Sequence, residues 1–178
     1  YEQKLRKTEE ALKKALPATV DWEVNWNSSD QVAKVLFEHC GLEPLEYTDA
    51  GKPSTRYAVL LRLTDKHEIP RLLLEMRKYS KAISGFLEPW ERLLMKEIEE
   101  GRPPRLYTTY NIAKTATGRL SAEEPNLQQV PRDTAVRSLI SAPPGRVLIQ
   151  ADYSQIELRV AAFIAGAESM KRIYREGG

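Results

Sequence analysis

Asp152 closes an apolar run, Arg146 to Ala151, and stands just ahead of a helix-like pattern, so its carboxylate projects where a strand end meets a helix start. Two chemistries fit an acid so placed. A hard dication such as Mg²⁺ takes carboxylate and carbonyl oxygens, while an ordinary helix N-cap uses the same side chain as an acceptor. On spacing alone the cap is the commoner outcome. A second concentration of chemistry lies between residues 52 and 81, where eight basic residues (Lys52, Arg56, Arg62, Lys66, Arg71, Arg77, Lys78, Lys81) face three acids (Asp65, Glu68, Glu75), a net of +5. Residues 82 to 100 reverse the sign, and 101 to 178 return to eleven basic against seven acidic. A local basic patch is what a polyanion-binding lobe needs, and it is equally what a solvated helix face carries.

Other reactive residue types are sparse. Cys40 is the only cysteine among 178 residues, which excludes an intrachain disulfide and the cysteine clusters of structural zinc sites. Its place beside Gly41 has no His or basic partner to favour a nucleophile. His39 and His67 fall on presumed helix faces, as solvated or core-edge residues rather than ligands. Trp22, Trp26 and Trp90 fit core anchors better than base-stacking platforms. The apolar share of 42% with 27 basic against 25 acidic residues describes a globular protein rather than a disordered one. No apolar run approaches the roughly 20 residues of a membrane span, and the charged start is unlike a signal peptide. These features predict a protein of a reducing compartment, cytosolic, with no membrane partner. The start at Tyr1 and the stop at Gly177-Gly178, directly after an unfinished helix, read as a piece of something larger.

The elements that must position these residues change character near residue 101. Leu5, Leu12 and Leu16 predict an amphipathic helix stopped by Pro17. Alternation from Val20 to Trp26 predicts a short strand, and Ser28 with Gln31 a capping box for a helix ending at Gly41. A basic Gly/Pro-rich loop leads to Ser54 as the cap of a helix through Leu63. Thr64 or Asp65 would cap a long helix with Pro70 in its first turn, kinked near Gly85 and restarted at Pro89, until Gly101 to Pro104 end it. Leu106 to Ile112 predicts a strand. Val136 to Ala142 and Arg146 to Asp152 would form a hairpin about Pro143-Pro144-Gly145, and Ser154 would cap a last helix reaching Gly166.

The string Ala151-Asp152-Tyr153-Ser154-Gln155-Ile156-Glu157-Leu158-Arg159 resembles the first palm motif of the family A DNA polymerases, the bacterial polymerase I type. Thr115 to Ser121, with Pro125 to Pro131, is similar to that family's block just upstream, in the same order and at the expected separation. Two long strings in order are far more specific than a short glycine pattern. Weaker likeness continues through Gly51 to Thr55, like the thumb-tip loop, and Leu74 to Arg77, like the long thumb helix. The resemblance covers nearly everything from about residue 20. It implies an α+β architecture: a helical thumb over 1–101 with its basic tip and helix at about 52–81, then over 102–178 the first antiparallel strands and motif helix of a palm. The fold would be incomplete, without fingers and with a large apolar face open.

The resemblance also implies roles. Asp152 would be the catalytic aspartate that binds both Mg²⁺ ions, with the carbonyl of Tyr153 completing one shell, and the second carboxylate would come from outside this chain. Ser154, Gln155, Ile156 and Glu157 would line the nucleotide site, Glu157 as the sugar gate that excludes a 2′-hydroxyl. Arg119 would enter the minor groove at the primer terminus, with Thr117, Asn126 and Gln128 contacting DNA nearby. For Asn126, stabilisation of the polar turn is the competing role. In the thumb, Ser54, Thr55, Arg77 and Lys81, with Lys52, would hold backbone phosphates. The chain departs from the family pattern at Ala82 to Gly85, at Ala122 and at Gln129-Val130. The implied partners are primer-template DNA, a dNTP and a complementary C-terminal segment carrying fingers and the rest of the palm. Alone, the chain would not polymerise. The alternatives are a non-catalytic DNA-binding module descended from a polymerase and, more remotely, a helical interaction domain.

Overall fold

A computed structural model of the chain describes residues 1–132 and 134–176. They divide into two units, 1–139 and 140–178. In the first, α1 (Glu2–Ala15) ends before Pro17, and α2 (Ser29–Ala33) runs on into a π-helical turn, Lys34–His39. Next come α3 (Tyr57–Leu63) and α4 (Glu68–Ala82), a second π-helical turn at Ile83–Leu87, and α5 (Glu88–Glu99). The strands β1 (Thr109–Asn111) and β2 (Ser121–Glu123) pair antiparallel with Tyr110 opposite Ala122. A 3₁₀ turn (Leu127–Gln129) and the short α6 (Thr134–Arg137) follow. The second unit holds α7 (Ile156–Ile164) and α8 (Glu168–Arg175). None of the described helices is long and apolar enough to cross a membrane.

The core of the first unit explains why its helices form where the apolar pattern put them. Leu12 of α1, Val32 of α2, Val35 and Leu36 of the π turn, Val59, Leu60 and Leu63 of α3 and Leu73 of α4 are all fully buried in one cluster. Helices this short are marginal in isolation, so that shared burial is what holds them. Trp26 belongs to the cluster and Trp22 packs at its edge, while Trp90 joins Phe86, Ala82 and Val136 in a second, smaller core. The tryptophans are anchors, as expected of their residue type. His39 lies edge-on to Trp22 at 5.0 Å and meets the Thr19 hydroxyl at 2.9 Å, a core-edge role. Burial pushes the Cys40 thiol above its ordinary range, which argues further against a nucleophile.

Several local expectations change. Val20 to Trp26 keeps the period-2 burial of a strand, with Val24 and Trp26 both buried, but forms no ladder. Ser28 does cap α2, accepting from the Gln31 amide at 3.4 Å, whereas the Gln31 side chain reaches the Asn25 amide at 2.7 Å, so the capping box is not closed. Ser54 precedes the cap of α3, which is Arg56. At α4 the cap is His67, whose Nδ1 accepts from the Ile69 amide at 3.2 Å. Thr64 is unavailable for that role because its hydroxyl donates back to Leu61 O at 2.8 Å, finishing α3. Around Gly85 the helix widens into the π turn Ile83–Leu87, which runs directly into α5, and Pro89 sits in the first turn of α5. A wider turn accommodates the N–H that proline lacks.

The strand expectations after residue 101 hold only in part. β1 occupies the centre of the Leu106 to Ile112 run, but its partner is Ser121–Glu123. Val136 is helical and fully buried in the smaller core. Arg146 to Asp152 carries no strand, and Val147, Leu148 and Ile149 are 79%, 65% and 88% exposed. A strand exists only where a neighbouring ladder takes its N–H and C=O groups, and among the described residues the only ladder is the one between β1 and β2.

Candidate functional site

The basic loop of the first unit is built as a tight excursion between Glu46 and Thr55. Ser54 N–H donates to Glu46 O, Thr48 N–H to Lys52 O and Gly51 N–H to Thr48 O, each at 2.8 Å. Gly51 turns the tip at φ +73°, the left-handed region that glycine enters without a Cβ clash. Two attachments hold this loop to the helices. Arg77 of α4 donates through Nη1 to Thr55 O at 2.6 Å, and Lys52 pairs with Asp30 of α2 at 2.7 Å. Glu46 is ion-paired with Arg56 and lies 3.7 Å from Arg62.

These contacts enclose an open cavity of about 460 Å³ lined by Lys52, Ser54, Thr55, Arg56 and Arg77, together with Asn27 and Asp30. Four of the five thumb residues expected to hold phosphate thus share one concavity: Lys52, Ser54, Thr55 and Arg77. Ser54 and Thr55 are 7% and 6% exposed, so they form its wall rather than its rim. Half-burial lowers the Arg77 guanidinium from its usual value, but arginine stays charged in any protein setting. Lys81 lies outside this cavity, beside a smaller one of about 160 Å³ shared with Lys78, Gln129 and Pro131.

The block from Thr115 to Pro131 forms a loop whose polar side chains brace each other. Thr115 donates its hydroxyl to Arg119 O at 2.6 Å across Gly118, which has φ +72°. Gln128 uses both ends of its amide, accepting from Ala122 N–H and donating to Leu120 O, each at 3.1 Å. Asn126 caps the 3₁₀ turn by accepting from the Gln128 amide at 3.1 Å. Asn126 therefore fills the turn-stabilising role weighed for it, and Gln128 pins the backbone on either side of Ser121. Thr117 and Arg119 are exposed at the loop's surface.

In the second unit, Asp152, Tyr153, Ser154, Gln155 and Glu157 are all exposed, and Ile156 is 47% exposed. α7 starts at Ile156 with Gln155 as its cap residue, so neither Asp152 nor Ser154 caps it. The commoner fate of a strand-end acid is thereby excluded. Asp152 makes no ion pair among the described residues, and both it and Tyr153 are exposed. Glu157 sits in the first turn of α7, where a carboxylate suits the positive helix end. Reasoning from the sequence assigned no role to Arg159, which donates to Ser154 O at 2.8 Å. Its membership of the nine-residue string was the available signal.

Comparison with known proteins decides the family. The model for DNA polymerase family A matches residues 1–178. The chain belongs to that family. Among its relatives, the thermostable DNA polymerase I of Thermus filiformis is 44% identical over 158 residues, covering 86% of this chain and 18% of the relative. The DNA polymerase I of Pseudomonas aeruginosa is 37% identical, covering 86% of this chain and 17% of the relative. A solved structure, described as the POL domain of Pol1 from M. smegmatis in complex with DNA primer-template and dNTP, superposes with TM-score 0.75 at 26% identity. That match covers 98% of this chain and 30% of the solved one. The chain thus spans less than a fifth of the length of these two relatives.

Proposed function

We propose that the chain is the thumb, residues 1–101, and the first part of the palm, residues 102–178, of a DNA-directed DNA polymerase acting in replication or repair in the cytoplasm. In this reading the basic cavity of Ser54, Thr55 and Arg77, with Lys52 at its edge and Lys81 beyond it, holds phosphates of the primer-template. Thr117 and Arg119 on the exposed loop touch the duplex, with Asn126 and Gln128 beside them. Ser154, Gln155, Ile156 and Glu157 line the site of a dNTP.

The observation that carries the reading is the Asp152 to Glu157 turn, exposed at the start of α7 and within a chain that matches the family along its whole length. Asp152 and the Tyr153 carbonyl are hard oxygen donors of the kind Mg²⁺ takes. The donor set fits the ion in kind, and in this reading a second carboxylate comes from the complementary segment of the polymerase. Bound there, two Mg²⁺ ions would supply Lewis-acid activation of a hydroxyl and neutralisation of triphosphate charge. Asp152 contributes the negative charge and the orientation. Glu157, in the first turn of α7, closes the space under the sugar, and the cavity of the first unit keeps the duplex in register by charge.

The test is single-nucleotide incorporation by the complete polymerase, the chain joined or reconstituted with its complementary C-terminal segment. Asp152→Ala is expected to abolish incorporation with primer-template affinity unchanged, and Glu157→Ala to retain synthesis but raise the share of ribonucleotide incorporated. Near-normal turnover in Asp152→Ala would make the chain a DNA-binding module without a catalytic part.

A further inference from the structure

We propose that Arg159, acting with Tyr174, is the positioning residue of the Asp152 to Glu157 turn: α8 serves as a strut that fixes the candidate catalytic turn through one guanidinium. The proposal rests on the polymerase reading for its consequence, but its geometry stands alone. Gln155 adopts φ +52° and ψ +39°, a left-handed conformation uncommon for a residue with a Cβ, and no side chain caps the helix that starts beyond it. A backbone so placed persists only where its surroundings over-determine it.

The surroundings are a closed ring of contacts. Arg159 Nε donates to Ser154 O at 2.8 Å, on the residue just before the left-handed one. Its Nη1 donates to Tyr174 O in α8 at 3.0 Å, and the guanidinium lies over the Tyr174 ring at 4.8 Å. The Tyr174 hydroxyl donates to Gln155 Oε1 at 3.1 Å, which brings the ring back to its start. Two carbonyls, one aromatic face and one amide thus form the ring, which holds the strained residue by its own side chain and by the carbonyl just before it. Ser154 is two residues from Asp152, so a loss of this clamp moves the carboxylate and the nucleotide-site residues together.

The chemistry requires arginine. A planar fork reaches two carbonyls and an aromatic face at once, whereas a lysine ammonium is a point charge that satisfies one of them. No carboxylate pairs with Arg159 among the described residues, so its role is not that of a surface ion pair. Nor does it touch the reacting groups in this arrangement, which makes it a positioning residue and not a catalytic one.

Two measurements test this. In the 178-residue chain, hydrogen exchange of peptides spanning Asp152 to Ala161 should accelerate in Arg159→Leu, nearly as much in Arg159→Lys, and least in Tyr174→Phe, which keeps the ring and the carbonyl but loses the bond to Gln155. In the complete polymerase, Arg159→Leu should lower kcat roughly ten- to a hundredfold, the range for residues that orient a metal-binding group, with primer-template affinity and thermal midpoint unchanged. Tyr174→Phe, which cannot unfold α8 by truncation, should lower kcat in the same direction by less. Unchanged exchange in both Arg159→Leu and Tyr174→Phe overturns the clamp. Faster exchange with unchanged kcat overturns its positioning role, as does full rescue by Arg159→Lys. Failure of the polymerase reading itself is separate: it shows as turnover surviving Asp152→Ala, whatever the exchange data say.

Discussion

The tip loop of the first unit and the Asp152 turn of the second are both exposed excursions between helices, yet they rest on different foundations. Beneath the tip loop lies a core in which Leu60, Leu63, Ile69 and Leu73 are fully buried. Beneath the Asp152 turn, Ala162 alone is buried among the described residues of α7, while Phe163 and Ile164 are 75% and 79% exposed. The tip loop thus stands on a packed core. The second unit leaves apolar side chains of α7 exposed, and holds its turn by the polar clamp of Arg159 instead. Burial at core sites is worth several kcal/mol per large side chain, whereas exposed sites contribute little. Leu73→Ala should therefore destabilise the first unit by about 2–5 kcal/mol, and Phe163→Ala should change the stability of the chain by no more than about 0.5 kcal/mol. Urea denaturation of both variants reads the contrast. Equal losses would mean that Phe163 is packed in solution and that the second unit is as complete as the first.

The same contrast explains what was legible in the sequence. Helices of the first unit were readable because their apolar spacing meets a core made by the same residues, so that local pattern and tertiary packing agree. Caps were less readable: His67 took the place expected for Thr64 or Asp65 because the threonine hydroxyl already served α3. The run Arg146 to Asp152 has the composition of a strand, but composition cannot supply a pairing partner, and among the described residues it remains irregular. Within the candidate site, the likeness of the two strings located Asp152 and Arg119 by number, while the bracing bonds of Gln128 and Arg159 follow from three-dimensional proximity that no spacing rule encodes.

A subtler difference separates two cations of α4 that the sequence treats alike. Arg77 is half-buried and committed to Thr55 O, so it shapes the cavity as well as charging it. Lys81 is exposed and offers a point charge alone. If both face DNA, Lys81→Ala should weaken primer-template binding modestly and reduce the slope of log affinity against log salt by about one. Arg77→Ala should weaken binding more at every salt concentration, because the tip loop loses its tie to α4 along with the charge. Fluorescence anisotropy across a salt series distinguishes them. Identical losses and identical slopes for the two variants would show that the Thr55 contact has no part in shaping the site.

The smallest expected effect lies at the end of α5, where the chain leaves the helical region. Arg102, just past Gly101, folds back to Glu97 with Nε and Nη2 donating to its two oxygens at 2.7 and 2.6 Å, and it also pairs with Glu100. The hydrogen bond from Arg102 holds the Glu97 carboxyl below its ordinary 4.5, outweighing the opposing effect of desolvation. A carboxyl whose folded-state value is depressed stabilises the fold above its unfolded value, and that contribution fades as pH falls through the folded one. The pair should therefore secure the helix end at neutral pH and release it in acid. Comparing thermal midpoints of the parent chain and Glu97→Gln across a pH series, the parent should be the more stable near neutrality, and the difference should begin to shrink as pH falls below the unfolded carboxyl's value of about 4.3 and close once pH has passed below the folded one. Because the pair is a surface one, added salt should narrow the gap at neutral pH as well. A gap that persists unchanged into acid would assign the effect of Glu97 to packing rather than to its charge, and the exit from α5 would then depend on Gly101 and the two prolines alone.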